Sequence, residues 1–307
     1  MTPILNHIIS FARAPTIDAY LERYSRAGFV VDKRTIRHEP GKRNGFVHFG
    51  PEYLEFFWVE DAKRFNAQAP SYFKEFRTKP RPFGIALDSR DVDAFHRFAA
   101  RTGFKLPQVW SKPMSGSVDT EPWWAFQDVP LRYLPGAWTF ILTYLRRDWK
   151  KPLRVRVGRN TIYGLTGVTF ITPKPYERAA QWQRFIGEKG RKAEKTNFGA
   201  QLVHGPHRLE WMTPTTYVKK YGAVRSPVTS QKFKTMQEIA LVHLVARYVK
   251  KARSMVEQSG FKTASHAQGF FIKPDARDGF AFLVSEQKPA VWAKGRSQYR
   301  TVTFTRP

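Results

Sequence analysis

The chain has 307 residues, 42% hydrophobic and 15% aromatic, enough for a large core in one or two domains and far from a disordered composition. Fifty-two Lys and Arg against 25 Asp and Glu give a formal charge of +27, a field that draws in anionic ligands and polyanions. Cys is absent, which excludes disulfides, thiolate metal sites and thiol nucleophiles. No stretch is continuously apolar enough to span a membrane, and the chain enters an apolar run at Ile4-Leu5 with no basic leader, so the expected location is cytoplasmic.

In chain order the pattern breaks into four strand–helix–strand–strand–strand units. The first has a strand over Leu5–Ala12. A helix after Pro15 carries Ile17, Tyr20, Leu21 and Tyr24 at helical spacing and stops at Ala27-Gly28-Phe29. Strands near 29–37, 45–49 and 53–59 follow. The second unit begins with Phe83–Leu87. Asp88-Ser89 cap a helix through Val92, Phe95, Phe98 and Ala99, and strands lie near 104–111, 124–129 and 137–145. Its loop 112–123 has the composition of a lid. A basic stretch over 146–161 reads as a linker. The third unit has a strand at Leu165–Thr172, a helix with Ala179, Ala180, Trp182 and Phe185, and strands at Gly199–Val203 and Arg208–Met212. The fourth has a strand at Ile239–Ala246, a helix through Val249, Ala252, Met255 and Val256, and strands near 269–273 and 279–284. Polar segments at 60–80 and 213–235 separate the units within each half.

One short text occurs twice. Val47-His48-Phe49-Gly50-Pro51-Glu52-Tyr53-Leu54-Glu55-Phe56 is echoed by Val203-His204-Gly205-Pro206-His207-Arg208-Leu209-Glu210-Trp211, with Glu five positions after Gly in both. Each is a tight turn feeding an apolar strand that carries a single carboxylate. A charge there is costly unless it is paired or binds metal. Strand alternation places Glu55 with Tyr53 and Phe57, and Glu210 with Arg208 and Met212, on faces opposite Leu54/Phe56 and Leu209/Trp211. The Glu faces are the more polar ones. The resemblance set out next implies that they line concave cups, with Glu55 more than half buried and within reach of His7, because first and fourth strands of one unit lie close in that architecture.

The fourfold order, the opening Leu5-Asn6-His7-Ile8-Ile9, the Gly-Phe helix stop, the loop Arg37-His38-Glu39-Pro40-Gly41-Lys42-Arg43-Asn44 and the strand Tyr53-Leu54-Glu55-Phe56-Phe57 resemble the vicinal oxygen chelate superfamily, in particular its glyoxalase-like group. The resemblance implies an α+β fold of tandem βαβββ modules forming two cup-shaped half-barrel domains. These are 1–147 (modules 4–61 and 82–146) and 160–307 (modules 162–213 and 236–286). It also implies a divalent metal (Mn, Fe, Zn or Ni) held by first and fourth strands of paired units. His7 and Glu55 match such positions in unit one, and Glu210 in unit three. Gly167 stands at the first-strand position of unit three; the first- and fourth-strand positions are Gly84 and Leu142 or Thr143 in unit two, and Leu241 and Phe280 or Ala281 in unit four, with His243 two residues after Leu241. Which ligands converge depends on pairing. Units one and two bring only His7 and Glu55, units one and three His7, Glu55 and Glu210, and units three and four Glu210 and His243.

The metal ligands so implied are His7, Glu55, Glu210 and His243. Alternatives are a hydrogen-bonded wall histidine for His7, an Arg partner for Glu55 and the neighbouring Arg208 for Glu210. Glu55 and Glu210 are the candidate catalytic groups, with Glu210 moving a proton if burial raises its pKa. Arg37, His38 and Arg43 are candidate clamps for a small anionic substrate. The functional expectation is a metal-dependent lyase, isomerase or dioxygenase using Lewis-acid chemistry. The alternatives are a metal-free small-molecule binding protein on the same fold and, more weakly, a nucleic-acid or polyanion binder. The chain is expected to be a monomer or homodimer without membrane contact.

Overall fold

The structure, a computed structural model, describes residues 3–36, 41–68, 73–78, 80–112, 124–145, 153–187, 192–222, 224, 237–288 and 302–305. Unit one is β1 (Ile4–Phe11), α1 (Ile17–Arg26), β2 (Val30–Ile36), β3 (Lys42–Phe49) and β4 (Glu52–Val59). Two short helices, α2 (Ala62–Gln68) and α3 (Phe73–Thr78), lead to unit two: β5 (Gly84–Asp88), α4 (Val92–Arg101), β6 (Trp110–Lys112), β7 (Trp124–Val129) and β8 (Trp138–Tyr144). After β9 (Leu153–Arg156), unit three is β10 (Ile162–Ile171), α5 (Pro175–Ile186), β11 (Glu194–Thr196), β12 (Gly199–His204) and β13 (His207–Met212). Helix α6 (Pro214–Tyr221) precedes unit four: β14 (Glu238–Ala246), α7 (Val249–Gln258), β15 (Thr263–His266), β16 (Gly269–Ile272) and β17 (Phe282–Glu286). A last strand is β18 (Val302–Thr305).

Local chemistry sets the helix ends. Thr16 caps α1 by accepting from the Ala19 amide, and Gly28 takes the left-handed turn after it at φ 82°. Helix α4 is capped by Asp91, whose carboxylate accepts from Ala94 N, and not by the expected Asp88-Ser89, because Asp88 is still paired in β5. The stretch 146–161 is not a plain linker. Leu153–Arg156 pairs in parallel with Val302–Thr305. The lid expected over 112–123 lies, beyond Lys112, outside the described residues.

Two eight-stranded mixed sheets result, ordered β2-β3-β4-β1-β5-β8-β7-β6 and β11-β12-β13-β10-β14-β17-β16-β15. In each, the first strand of one unit runs antiparallel to the first strand of the next, β1 on β5 and β10 on β14. Units one and two therefore make one cup, and units three and four the other. A kink in β1 between Leu5 and His7 turns His7, Ile9 and Phe11 to the concave face while Leu5 and Ile8 pack on the helix side.

The helix-side faces of both sheets share one apolar core. Phe95 and Phe104 meet Phe185 at 5.4 and 5.2 Å, and Tyr24 meets Phe261 at 5.3 Å. Burying each such ring contributes about 1.5–3 kcal/mol. Polar contacts fix the docking. His207 Nε2 lies 3.0 Å from Glu52 Oε1, His204 bonds the Pro3 carbonyl, and Arg23 pairs with Asp275 at 2.5 Å. Asp278 is buried at 3% exposure, accepting from Tyr20 and Tyr24 hydroxyls at 2.6 and 3.0 Å and from the Phe280 amide at 2.7 Å.

Burial, with the nearby Asp275 charge, pushes the Asp278 carboxyl from 3.8 up to about 6. Between these pH values the folded chain keeps a proton that the unfolded chain has lost. Stability therefore falls as pH rises through that window and is level above it. Wild type is expected to lose about 2–3 kcal/mol between pH 4 and pH 7 relative to Asp278→Asn, measured by urea unfolding at each pH. Parallel pH profiles for the two proteins would refute this origin.

Candidate functional site

In the N-terminal cup, β1 and β4 run parallel with Ile9 opposite Glu55, so His7 and Glu55 come together on the concave face. They are 2% and 7% exposed, and His7 Nε2 lies 3.1 Å from Glu55 Oε2. His7 Nδ1 is 2.8 Å from Asn6 Oδ1, and an amide oxygen only accepts, so Nδ1 carries a proton. Nε2 reaches Glu55 without hydrogen-bond alignment. Asn44 donates to Glu55 Oε1 at 2.6 Å, Tyr53 stacks on His7 at 4.3 Å, and Tyr53 and Tyr144 share a hydrogen bond of 2.8 Å. Beyond this pair the described residues pack the cup with aromatic rings. Phe65 of α2 and Phe73 and Phe76 of α3 pack with Phe11, Phe57, Phe83 and Trp138 against its floor. Lys42 lies buried with its ammonium 3.4 Å from the Phe57 ring centre.

The C-terminal cup answers the same carboxylate differently. Glu210 is 3% exposed on β13, opposite Thr169 of β10. It accepts from Lys220 Nζ at 2.8 Å, Tyr221 Oη at 2.7 Å and Thr169 Oγ1 at 3.0 Å. Lys220 and Tyr221 arrive on α6, whose start is fixed by a reciprocal capping box between Thr213 and Thr216. Thr169 Oγ1 is also 2.7 Å from His243 Nε2, and His243 Nε2 is 3.8 Å from Glu210 Oε2. Burial pushes the Glu210 carboxyl up, but the charges at His243 and Lys220 and the hydrogen bonds from Lys220 and Tyr221 outweigh it and hold the group at about 2. Burial pulls His243 down to about 4 against the attraction of Glu210. Near neutrality His243 is uncharged, and the cation that Glu210 faces is Lys220.

On the other side of His243 the cup opens into a cavity of about 620 Å3. Thr166, Arg208, His243, Gln268, Ser285 and the acidic Glu286 give it polar groups, and Val203, Val245 and Leu283 apolar ones. The Arg208 side chain is 62% exposed and only loosely tied to Glu210, at 4.0 Å.

His7 and Glu55 meet, and Glu210 and His243 are neighbours, but the two pairs lie in separate cups because sheet pairing joins β1 to β5 and β10 to β14. The set His7, Glu55, Glu210 is not assembled. Strand register also moves the equivalent fourth-strand positions to Phe140 and Leu283, both apolar. Gly167 leaves no room for a first-strand ligand, since a Cβ there would sit 2.0 Å from the Arg208 carbonyl oxygen. Among the described residues no group of three or more His, Cys, Asp or Glu converges as a metal site. Two donors fall short of the three or four that Zn, Mn, Fe or Ni requires, so the residues present do not fit the metal that the fold implies. Nor does Glu210 meet the condition for moving a proton, because its pKa is lowered rather than raised. Arg43 shares the helix-side face of Gly45 and Val47 and pairs with Glu60 at 3.3 Å, away from the cup. Arg37 and His38 lie outside the described residues.

Sequence reasoning missed Thr169, Lys220 and Tyr221. Thr169 follows Gly167 by two and so shares its strand face, a signal that was available. Lys220 and Tyr221 sit in a segment with no strand period to place them. Replacing Lys220 by Met is expected to cost about 2 kcal/mol, toward the low end for a buried pair because Lys220 keeps 26% of its side chain in water. Adding Glu210→Gln should recover most of that loss in urea unfolding at pH 7. A double variant no more stable than the single one would show that the ion pair is not the cause.

The family model of the glyoxalase-like domain matches residues 5–186. No curated protein shows a significant match. Among solved structures, a hypothetical protein from Staphylococcus aureus is similar with a TM-score of 0.58 at 10% identity, over 92% of this chain and 100% of that one. A xylose isomerase-like TIM barrel/4-hydroxyphenylpyruvate dioxygenase fusion protein is similar with a TM-score of 0.53 at 9% identity, over 97% of this chain and 52% of that one. These likenesses concern the fold, two cups of βαβββ modules. With the family match covering more than half of its length, the chain belongs to the glyoxalase-like domain family of the vicinal oxygen chelate superfamily.

Proposed function

We propose that this protein binds a small anionic molecule in its C-terminal cup without a metal. The observation that carries this reading is the Lys220 ammonium 2.8 Å from Glu210, which gives the buried carboxylate its counter-charge from within the chain. A divalent ion at Glu210 would have to displace three hydrogen-bond donors as well as that charge. The cavity beside it is large enough for a metabolite-sized ligand. Arg208 offers a planar fork suited to a carboxylate or phosphate at the mouth, and the net charge of +27 favours the approach of anions. The Lewis-acid enzyme reading lacks support from the side chains, since among the described residues no three His, Cys, Asp or Glu converge in either cup.

Titration of medium-chain carboxylates and phosphate monoesters at low salt, followed by tryptophan fluorescence, is expected to show saturable binding. Arg208→Ala should weaken it by about tenfold, and prior dialysis against a chelator should leave it unchanged. Stoichiometric Mn, Fe, Zn or Ni that is lost in His7→Ala and required for binding would overturn the proposal in favour of the metalloenzyme.

A further inference from the structure

His243 stands at the boundary between the buried Glu210 cluster and the open cavity, and its two ring nitrogens meet different surroundings. Nε2 is 2.7 Å from Thr169 Oγ1, which is in turn 3.0 Å from Glu210 Oε2. Thr169 has a single hydroxyl proton. Glu210 is ionised and only accepts, so that proton lies on the Thr169–Glu210 contact. The opposite arrangement would set hydroxyl lone pairs against a carboxylate oxygen at 3.0 Å. The Thr169 oxygen is then left as an acceptor, and the group facing it must be Nε2–H. A neutral imidazole protonated at Nε2 has a bare Nδ1. Among the described residues Nδ1 has no hydrogen-bond partner, and His243 lines the cavity.

We infer that His243 Nδ1 is the cavity's built-in proton acceptor, and that it selects a small acid carrying a hydroxyl or N–H donor close to its anionic group. The anionic group falls to Arg208. Gly167 is the register partner of both Arg208 and His243, one on each side, so these residues lie two strands apart, about 10 Å between backbones. The strand position between them bears no side chain. Thr169 and Glu210 are positioning residues here. They touch no ligand but decide which face of His243 is offered. The inference rests on the C-terminal cup being the ligand site.

The first measurement needs no ligand. Long-range proton–nitrogen NMR of histidine-labelled protein at pH 7 should show His243 as the Nε2–H tautomer. Thr169→Val should remove that preference, and Thr169→Ser should restore it. A wild-type His243 protonated at Nδ1, or an unchanged signature in a folded Thr169→Val protein, would overturn the inference. The second measurement uses 2-hydroxyhexanoate and hexanoate, which differ only in the hydroxyl. The hydroxy acid should bind about fivefold more tightly or better and shift the Nδ1 resonance. Binding of both acids with equal affinity and an unmoved Nδ1 would sink this inference alone. Failure of both to bind at all would sink the reading of the cup.

Discussion

A carboxylate on the concave face of an apolar strand has to be neutralised where it stands, because an unpaired buried charge costs more than a small domain can spare. In the C-terminal half the arrangement around Glu210 follows from that requirement. Lys220 and Tyr221 have to come from α6, so α6 has to lie across one end of the cup, and the capping box at Thr213 and Thr216 fixes where it starts. Thr169 completes the carboxylate's donors from the neighbouring strand and in doing so turns His243. The cavity is what remains of the cup once this cluster has closed the other end.

The N-terminal half meets the same constraint with other residues. Glu55 faces His7 and Asn44, both on its own sheet, so the connecting helices α2 and α3 have no charge to deliver. They carry Phe65, Phe73 and Phe76 instead and fill the cup with rings. One half has become a packed scaffold and the other has kept a hollow, although the turn and strand text around the two carboxylates is nearly the same. Among the described residues the difference lies in the segments between units, α2 and α3 in one half and α6 in the other, which take no part in the sheet pairing.

The fold was legible in the sequence to the extent that it is periodic. The small-Gly-Phe helix stops, the alternation in Tyr53–Phe57 and Arg208–Met212, and the fourfold order all report local geometry, and most described strands of the four units fall near where that geometry puts them. The strand expected near 104–111 is confined to Trp110–Lys112. Both Glu faces were read correctly for the same reason, since parity along a strand is local. The partners of those carboxylates were not legible. Whether β1 pairs with β5 or with β10 is a long-range choice that no short window contains. The kink between Leu5 and His7 and the close approach of Gly167 to the Arg208 carbonyl are likewise products of pairing. Fourth-strand positions slipped to Phe140 and Leu283 because an apolar run without a polar marker gives no register of its own. The strand hidden in the basic stretch after residue 152 was masked by its charge, which outweighed the alternation of Leu153 and Val155.

The repeated Gly-Pro hairpin ties the site to the assembly of the halves. Within seven residues of the second copy, His204 reaches the Pro3 carbonyl, His207 meets Glu52 of the other half, Arg208 stands at the cavity and Glu210 anchors the buried cluster. His207 also lines the cavity, so the wall that a ligand would touch is held from behind by the N-terminal half. A ligand that binds only when this wall is in place stabilises the docked pair by RT ln(1 + L/Kd), an amount that grows with the free ligand concentration L. The ring-packed N-terminal cup then has a physical role in the docking itself. It is the rigid body against which the β12–β13 hairpin, and through it Arg208 and His243, is held at fixed spacing.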